Sequence, residues 1–435
     1  MKKVIEELQW RGLLHQTTPE LINKNSKKIT VYAGFDPTAD SLHIGNLAPI
    51  MLLKHLQNAG ANIIALVGGA TGMIGDPSGK KSERKFLDEK TLDKNFDAIR
   101  NQIHELLPKN NSDANIPKMV NNYNWYKDMN ILFFLRNVGK YITVNTMMSK
   151  DSVKNRINGE NNAGISFTEF TYQLIQAQDF RHLNNKYGCN LQVGGSDQWG
   201  NMTAGIELLR KADSVEVDAL TCPLITKTDG SKFGKSENGN VWLDANKTSP
   251  YNFYQFWFNQ TDEDAAKFIK IFTFLTKSEI DNIINEHNAA PHKRLLQKRL
   301  AEEVTKMIHG EEGLQEALVA TDFLFSKKNV DINSLERISD TSFERIFSSV
   351  PNTHINKIIF DYATDIYDLL SEKTNFEIFK SKGDIRRLIK NNGLSINLSK
   401  IKNDTNLTDL KTIHSKYIII QKGKKNFHLL KIVNE

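Results

Sequence analysis

Two short stretches, far apart in the sequence, have residue types suited to holding phosphate. In His43-Ile44-Gly45-Asn46 a loop passes into a helical pattern. A spacing of three sets His43 and Asn46 on one face beside the positive end of that helix, where two neutral donors can hold an anion. Gly45 lets a ligand approach the backbone closely. Taken alone, the tetrapeptide reads better as a capped helix start. Lys232-Phe233-Gly234-Lys235-Ser236 follows Thr228-Asp229-Gly230, so two lysines lie in a glycine-punctuated loop. Cations that engage a triphosphate as charge develops on its leaving group lower the barrier. By itself the loop reads better as a basic surface turn. The glycine-rich run Gly69 to Lys80 fits neither G-x-x-x-x-G-K-[ST] nor G-x-G-x-x-G and is expected as a loop. Tyr172, Gln176 and Asp179, spaced i, i+4 and i+7, share one helical face. That stripe is either solvated or the wall of a pocket for a ligand with an ammonium group and a phenol.

The elements that must position these residues alternate. Ile29 to Ala33 is a β-branched run, a helical pattern follows from Leu42 to Asn58 with Pro49 in an early turn, and Ile63 to Val67 is a second apolar strand ending in two glycines. This spacing predicts a βαβ unit, hence an α/β, Rossmann-like, doubly wound parallel sheet with ligands at the carboxyl ends of its strands. Ser166 to Glu169 has the form of a capping box opening a helix to about Leu183, and Leu191 to Gly195 is another strand-to-loop transition. The expected organisation is a catalytic domain over 1–249, an α-helical domain over 250–330, a linker over 331–375 and a small α+β module over 376–435.

Charge is unevenly distributed. The net charge is +6, yet residues 376–435 hold 13 Lys and Arg against 5 Asp and Glu, which leaves the preceding body slightly acidic. A basic appendage of this kind suits a polyanion, with Arg386, Arg387 and Lys390 on a short basic helix as candidate phosphate contacts; a solvated tail is the alternative. No run nears the roughly 18 to 20 apolar residues of a membrane span, and charges interrupt the N-terminal segment, so a cytoplasmic protein is expected. Only two cysteines occur, Cys189 and Cys222, without the spacing of a zinc site, so no protein-bound metal is expected.

In combination these motifs carry more than each does alone. H-I-G-N followed by K-F-G-K-S, flanking a doubly wound sheet, resembles the two signatures of the class I aminoacyl-tRNA synthetases. Tyr32 to His43, Val67 to Gly79, Ser166 to Asp179 and Gln192 to Asn201 resemble the bacterial tyrosyl-tRNA synthetases, and the resemblance spans essentially the whole chain. The first signature of that family normally ends in histidine, where Asn46 stands here. The resemblance implies activation of tyrosine with ATP and its transfer to tRNA(Tyr), with magnesium on the triphosphate. It also implies the residue roles. Tyr32 and Asp179 would bind the substrate phenol, and Asp76, Tyr172 and Gln176 its ammonium group, with Gln192 and Gln198 also on the tyrosine side. Gly34, Asp36, Thr38, His43, Gly45 and Asn46 would bind ATP, with Gly195 and Asp197 at the ribose. Lys80, Arg84, Lys232 and Lys235 would clamp the pyrophosphate. Members of the family are homodimers, with an interface around Tyr123 to Tyr141, although the aromatic residues there suit a core equally well. A tryptophan-specific relative, another small nucleotidyltransferase, or a non-catalytic RNA-binding protein derived from a synthetase are the competing readings.

Overall fold

The apolar runs on either side of the first signature are buried along nearly their whole length, as strands inside a parallel sheet must be. The computed structural model describes residues 1–22, 28–78, 87–107, 116–157, 164–228, 230, 233–236, 239–323, 332–347, 350–402, 405–423 and 426–434. Six strands form its main sheet: β1 (Gln16–Thr17), β2 (Thr30–Phe35), β3 (Asn62–Val67), β4 (Lys118–Asn121), β5 (Leu191–Gly195) and β6 (Asp218–Cys222). Their order is β1-β6-β5-β2-β3-β4, parallel throughout except for the β1–β6 pair. From β2 the chain adds β3 and β4 on one side, then returns to lay β5 and β6 on the other. The winding therefore reverses between β2 and β5, and the crevice at the carboxyl ends of those two strands is where such a sheet binds its ligand.

The helix Leu47–Asn58 connects β2 to β3 and buries Leu47, Ile50, Met51, Leu52, Leu53 and Leu56. Pro49 is its third residue, where a backbone N–H would have no helical acceptor, so the ring removes nothing. The helix Phe167–Tyr187 begins at Ser166, whose hydroxyl accepts from the Glu169 amide at 3.2 Å, and ends at Gly188 in the left-handed conformation. The Glu169 carboxylate receives both terminal nitrogens of Arg156, at 3.2 and 2.8 Å. Both side chains are buried, and a charge taken out of water demands a counterion more strongly than an exposed helix end demands a cap.

Internal contacts divide the chain into two compact units, Met1–Thr248 with Phe256–Ile308, and Ser249–Gln255 with His309–Glu435. The boundary expected at 249/250 falls beside the unit boundary after Thr248, and the stretch expected as a helical domain, 250–330, is shared between the two units. The reason lies in the core: Phe233 from the second signature is buried among Phe256, Trp257, Phe268 and Phe272, so those helices share an apolar cluster with the sheet unit. Beside Phe233, β7 (Lys235–Ser236) and β8 (Gly239–Asn240) form a short hairpin.

In the second unit a sheet runs β11-β10-β12-β13-β9, built from β9 (Asn352–Asn356), β10 (Leu394–Ile396), β11 (Ser399–Lys400), β12 (Tyr417–Lys422) and β13 (Asn426–Val433). All its pairs are antiparallel except β13–β9. The stretch 331–375, expected as a linker, carries β9 and the short helices Ile332–Arg337, Asp340–Ile346, Lys357–Asp361 and Ile366–Leu370. None exceeds seven residues, too few turns for a helical period to stand out. On the helix Lys382–Lys390, Ile385 and Ile389 face the core while Arg386, Arg387 and Lys390 are exposed. Among the described residues no helix is long and apolar enough to cross a membrane.

Candidate active site

A cavity of about 560 Å³ opens at the carboxyl rim of β2 and β5, where the winding reverses. Its innermost wall is made by neighbours in register: Tyr32 on β2 pairs with Gln192 on β5. Both side chains are buried, and among the described residues neither the Tyr32 hydroxyl nor the Gln192 carbonyl oxygen has a hydrogen-bond partner. Buried polar atoms are rarely left so unless something else satisfies them, which makes this pair the place to look for a ligand. Asp179 lines the same wall at 2% exposure. Its carboxylate accepts from Asn122 Nδ2 at 3.1 Å and Trp125 Nε1 at 3.0 Å. Burial nevertheless outweighs those donors and pushes the Asp179 carboxyl up to about 7. The Tyr32 phenol is raised as well, first by burial and then by the neighbouring Asp179 charge.

One helical turn away, the polar stripe turns inward instead of facing solvent. Tyr172 donates its hydroxyl to Asp36 Oδ2 at 2.7 Å, and Thr71 donates to Asp36 Oδ1 at the same distance. Gln176 Oε1 accepts from Asn201 Nδ2 at 3.1 Å. Asp76 accepts from the Ser78 amide at 2.9 Å and from Gln198 Nε2 at 2.6 Å. Gly195 and Asp197 follow β5 on the same rim, and the Asp197 carboxyl is raised by burial and then by Asp76. Carboxylates and acceptor oxygens thus gather at one spot, an arrangement suited to an ammonium group.

Toward solvent the cavity is lined by Gly34, Thr38, His43, Gly45 and Asn46. The two polar residues of the first signature are joined by reciprocal capping, whereas the sequence spacing placed them side by side on a helix. His43 is extended (φ −122°, ψ 169°); its Nδ1 accepts from the Gly45 amide and its own amide donates to Asn46 Oδ1, each at 3.0 Å. Because Nδ1 accepts, the neutral ring carries its proton on Nε2. Asparagine in place of the usual histidine therefore closes the turn. Gly45 is required for the same reason: a Cβ there would meet the His43 ring at 2.8 Å.

The second signature abuts the first. Gly234, at φ 95°, packs so closely that a Cβ would meet Ile44 Cγ1 at 3.3 Å and lie 3.5 Å from the Gly45 amide nitrogen. The residue just after β8 ties them together: Val241 N donates to Gly234 O at 3.1 Å, and Ile44 N to Val241 O at 3.0 Å. Lys80, Arg84 and Lys232 lie outside the described residues, and of Lys235 only the backbone is described, paired with Asn240. Sequence reasoning missed Asn122, Trp125, Thr71 and Asn201, which hold the recognition groups in place. The available signal was the position of Asn122 and Trp125 just past the carboxyl end of a strand. Among the described residues no group of three or more His, Cys, Asp or Glu is arranged to hold a metal ion.

A doubly wound sheet whose rim carries a capped His-x-x-Asn turn against a glycine–lysine loop defines a nucleotide-binding catalytic unit of the class I synthetase type. The sequence matches the family described as tRNA synthetases class I (W and Y) over residues 24–326, and a Tyrosine--tRNA ligase SYY-like C-terminal domain over residues 342–430. Among curated relatives, the tyrosine–tRNA ligase of Flavobacterium johnsoniae is 53% identical over all of both chains. That of Bacteroides fragilis is 50% identical over 98% of this chain and 99% of its own. A C-terminally truncated mitochondrial tyrosyl-tRNA synthetase from Aspergillus nidulans superposes with a TM-score of 0.67 at 31% identity, covering 74% of this chain and 94% of its own. The chain belongs to the tyrosine–tRNA ligases, within the class I synthetase family.

Proposed function

We propose that the cavity activates L-tyrosine with ATP and that the enzyme then esterifies the amino acid onto tRNA(Tyr). The observation that carries this reading is the buried, unpartnered Tyr32 hydroxyl beside the desolvated Asp179 carboxyl. A substrate phenol accepts from Tyr32 and donates to Asp179, so each end of the pair is satisfied by one hydroxyl. Phenylalanine leaves the Tyr32 hydroxyl unpaired and the buried Asp179 carboxylate one donor short, a penalty of about 1–3 kcal/mol for a buried group. The substrate ammonium group is held by Asp76, Tyr172 and Gln176, with Gln192 and Gln198 completing that side. His43 and Asn46 face the phosphates of ATP and Gly45 lets the nucleotide approach the backbone closely, while Gly34, Asp36 and Thr38 line its path and Gly195 and Asp197 take the ribose.

The tyrosine carboxylate oxygen attacks the α-phosphorus in line. The bond from that phosphorus to the bridging oxygen breaks, and pyrophosphate leaves. No general base is required, because the nucleophile is already ionised; catalysis is positioning together with stabilisation of charge on the leaving group. Lys80, Arg84, Lys232 and Lys235 supply the cations for that charge. Magnesium belongs to the ATP substrate, on its phosphate oxygens. In the second step a 2′- or 3′-hydroxyl of the terminal tRNA adenosine attacks the adenylate carbonyl and AMP departs.

The stretch 250–330 serves the anticodon side of the tRNA, and the exposed Arg386, Arg387 and Lys390 contact its phosphates. The active form is a cytoplasmic homodimer. Ile131, Leu132, Phe133 and Leu135 are between 48% and 72% exposed, a concentration of exposed apolar side chains on one short helix that suits an interface. Tyrosine-dependent exchange of pyrophosphate into ATP by the purified protein tests the central reading. Exchange with tyrosine and not with phenylalanine or tryptophan is expected; absence of exchange with tyrosine, or equal exchange with phenylalanine, sinks it. Sedimentation at micromolar concentration tests the dimer.

A further inference from the structure

Three contacts clamp the loop of the second signature to one helix, Asp262–Phe272. At the start of the loop, Lys267 Nζ donates to Thr226 O at 2.8 Å, and the Thr228 amide donates to Asp264 Oδ1 at 2.9 Å. Asp264 is 2% exposed, so it is a built-in acceptor and no chance surface contact. Within the signature itself, Phe233 is buried: its ring stacks on Phe272 (centroids 5.3 Å apart, planes 11° from parallel) and packs on Phe268 at 4.8 Å and Trp257 at 5.6 Å. The next residue, Gly234, lies against Ile44 and Gly45 of the first signature. A single dipeptide therefore has its side chain fixed in the helices and its backbone fixed against the phosphate-facing turn.

We propose that Phe233 is a positioning residue for tyrosine activation, its ring using the Asp262–Phe272 helix as a fixed platform that sets the separation between the two signatures. The inference rests on the proposed function, because the separation matters only if the cations of the second signature act on a nucleotide held by the first. Phe233 is not among the residues that line the cavity. It acts through Gly234 and the backbone of Lys235, whose pairing with Asn240 carries the same placement into the β7–β8 hairpin. A misplacement of about 1 Å in such a constellation lowers a rate by up to roughly 100-fold, whereas ground-state binding at the far end of the cavity does not depend on it.

The test is tyrosine-dependent pyrophosphate exchange by the full-length protein, with tyrosine affinity measured separately by equilibrium dialysis. Phe233→Ala is expected to lower kcat about 30-fold while the Kd for tyrosine stays within about threefold. Phe233→Met, which refills the apolar cluster, is expected to restore most of the rate. Asp264→Ala, which releases the loop elsewhere, is expected to lower kcat in the same sense by a smaller factor. A Phe233→Ala protein active to within threefold of the parent overturns the proposal, as does a loss of tyrosine affinity that accounts for the loss of rate. Should the alanine variant fail to fold, Phe233→Leu decides: melting at the parental temperature with a lowered kcat supports positioning, and parental kcat overturns it. If the parent protein itself shows no exchange, the functional reading fails; an active parent with an indifferent Phe233 removes only this inference.

Discussion

The two ends of the cavity are built on opposite principles. At the inner end, Tyr32 and Asp179 are almost wholly removed from water, and Asp179 is held by donors from Asn122 and Trp125. At the outer end Gly45 is exposed, and the turn is closed by a histidine and an asparagine that cap one another. Recognition of the amino acid thus draws on the low dielectric of the interior, where a single missing hydrogen bond is felt strongly. Handling of the nucleotide draws on the polar side chains of a capped turn and on cations brought by a loop, groups that remain solvated until charge develops between them. Changes at the inner end should therefore move affinity and specificity, and changes at the outer end should move rate.

The largest expected effect breaks the outer end. Lys235→Ala should reduce the rate of adenylate formation by about 100-fold or more while leaving the Kd for tyrosine unchanged, as measured by rapid quench and equilibrium dialysis. A weaker tyrosine complex with a normal rate would erase the distinction between the two ends. Tyr32→Phe, at the inner end, should do the reverse. It removes the donor to the substrate phenol, so tyrosine affinity should fall about tenfold with a smaller change in maximal rate, and phenylalanine should be discriminated against less.

A gentler probe is pH. The Asp179 carboxyl is raised to about 7 by burial, so below that pH it is protonated and above it ionised. The substrate phenol donates to the ionised form, and tyrosine affinity should therefore rise about tenfold between pH 6 and pH 8 as the ionised fraction grows. Trp125→Phe removes one donor that stabilises the charge and should move the midpoint upward, which titration calorimetry across the range will read. Smallest in its bearing on the cavity is Arg386→Glu with Arg387→Glu. The pair should weaken tRNA binding severalfold and flatten its salt dependence while pyrophosphate exchange is unaffected.

The difference between the ends also explains what was legible in the sequence. The doubly wound sheet could be read because β2 and β3 are continuous apolar runs followed by glycines, and the inward stripe of Tyr172, Gln176 and Asp179 because a helix fixes their spacing. The supports of Asp179 were hidden, since Asn122 and Trp125 lie 57 and 54 residues away and meet it only when β4 is laid beside β3. Reciprocal capping by His43 and Asn46 was hidden for a different reason. Capping rules favour serine, threonine and glutamate, and a ring nitrogen in that role leaves no familiar pattern. In the second unit the helices between 331 and 375 were too short to announce themselves, and β9 was recognisable only through its partner at the other end of the unit.

That partnership orders events during synthesis. Among the described residues β9 has a single neighbour in its sheet, β13, which follows every other described strand in the sequence. As the ribosome releases the chain, residues 352–356 must wait without a pairing partner while some seventy later residues emerge, whereas β2 finds β3 after one helix. The sheet of the second unit therefore closes after the strands of the parallel pairs at the activating site have all been made.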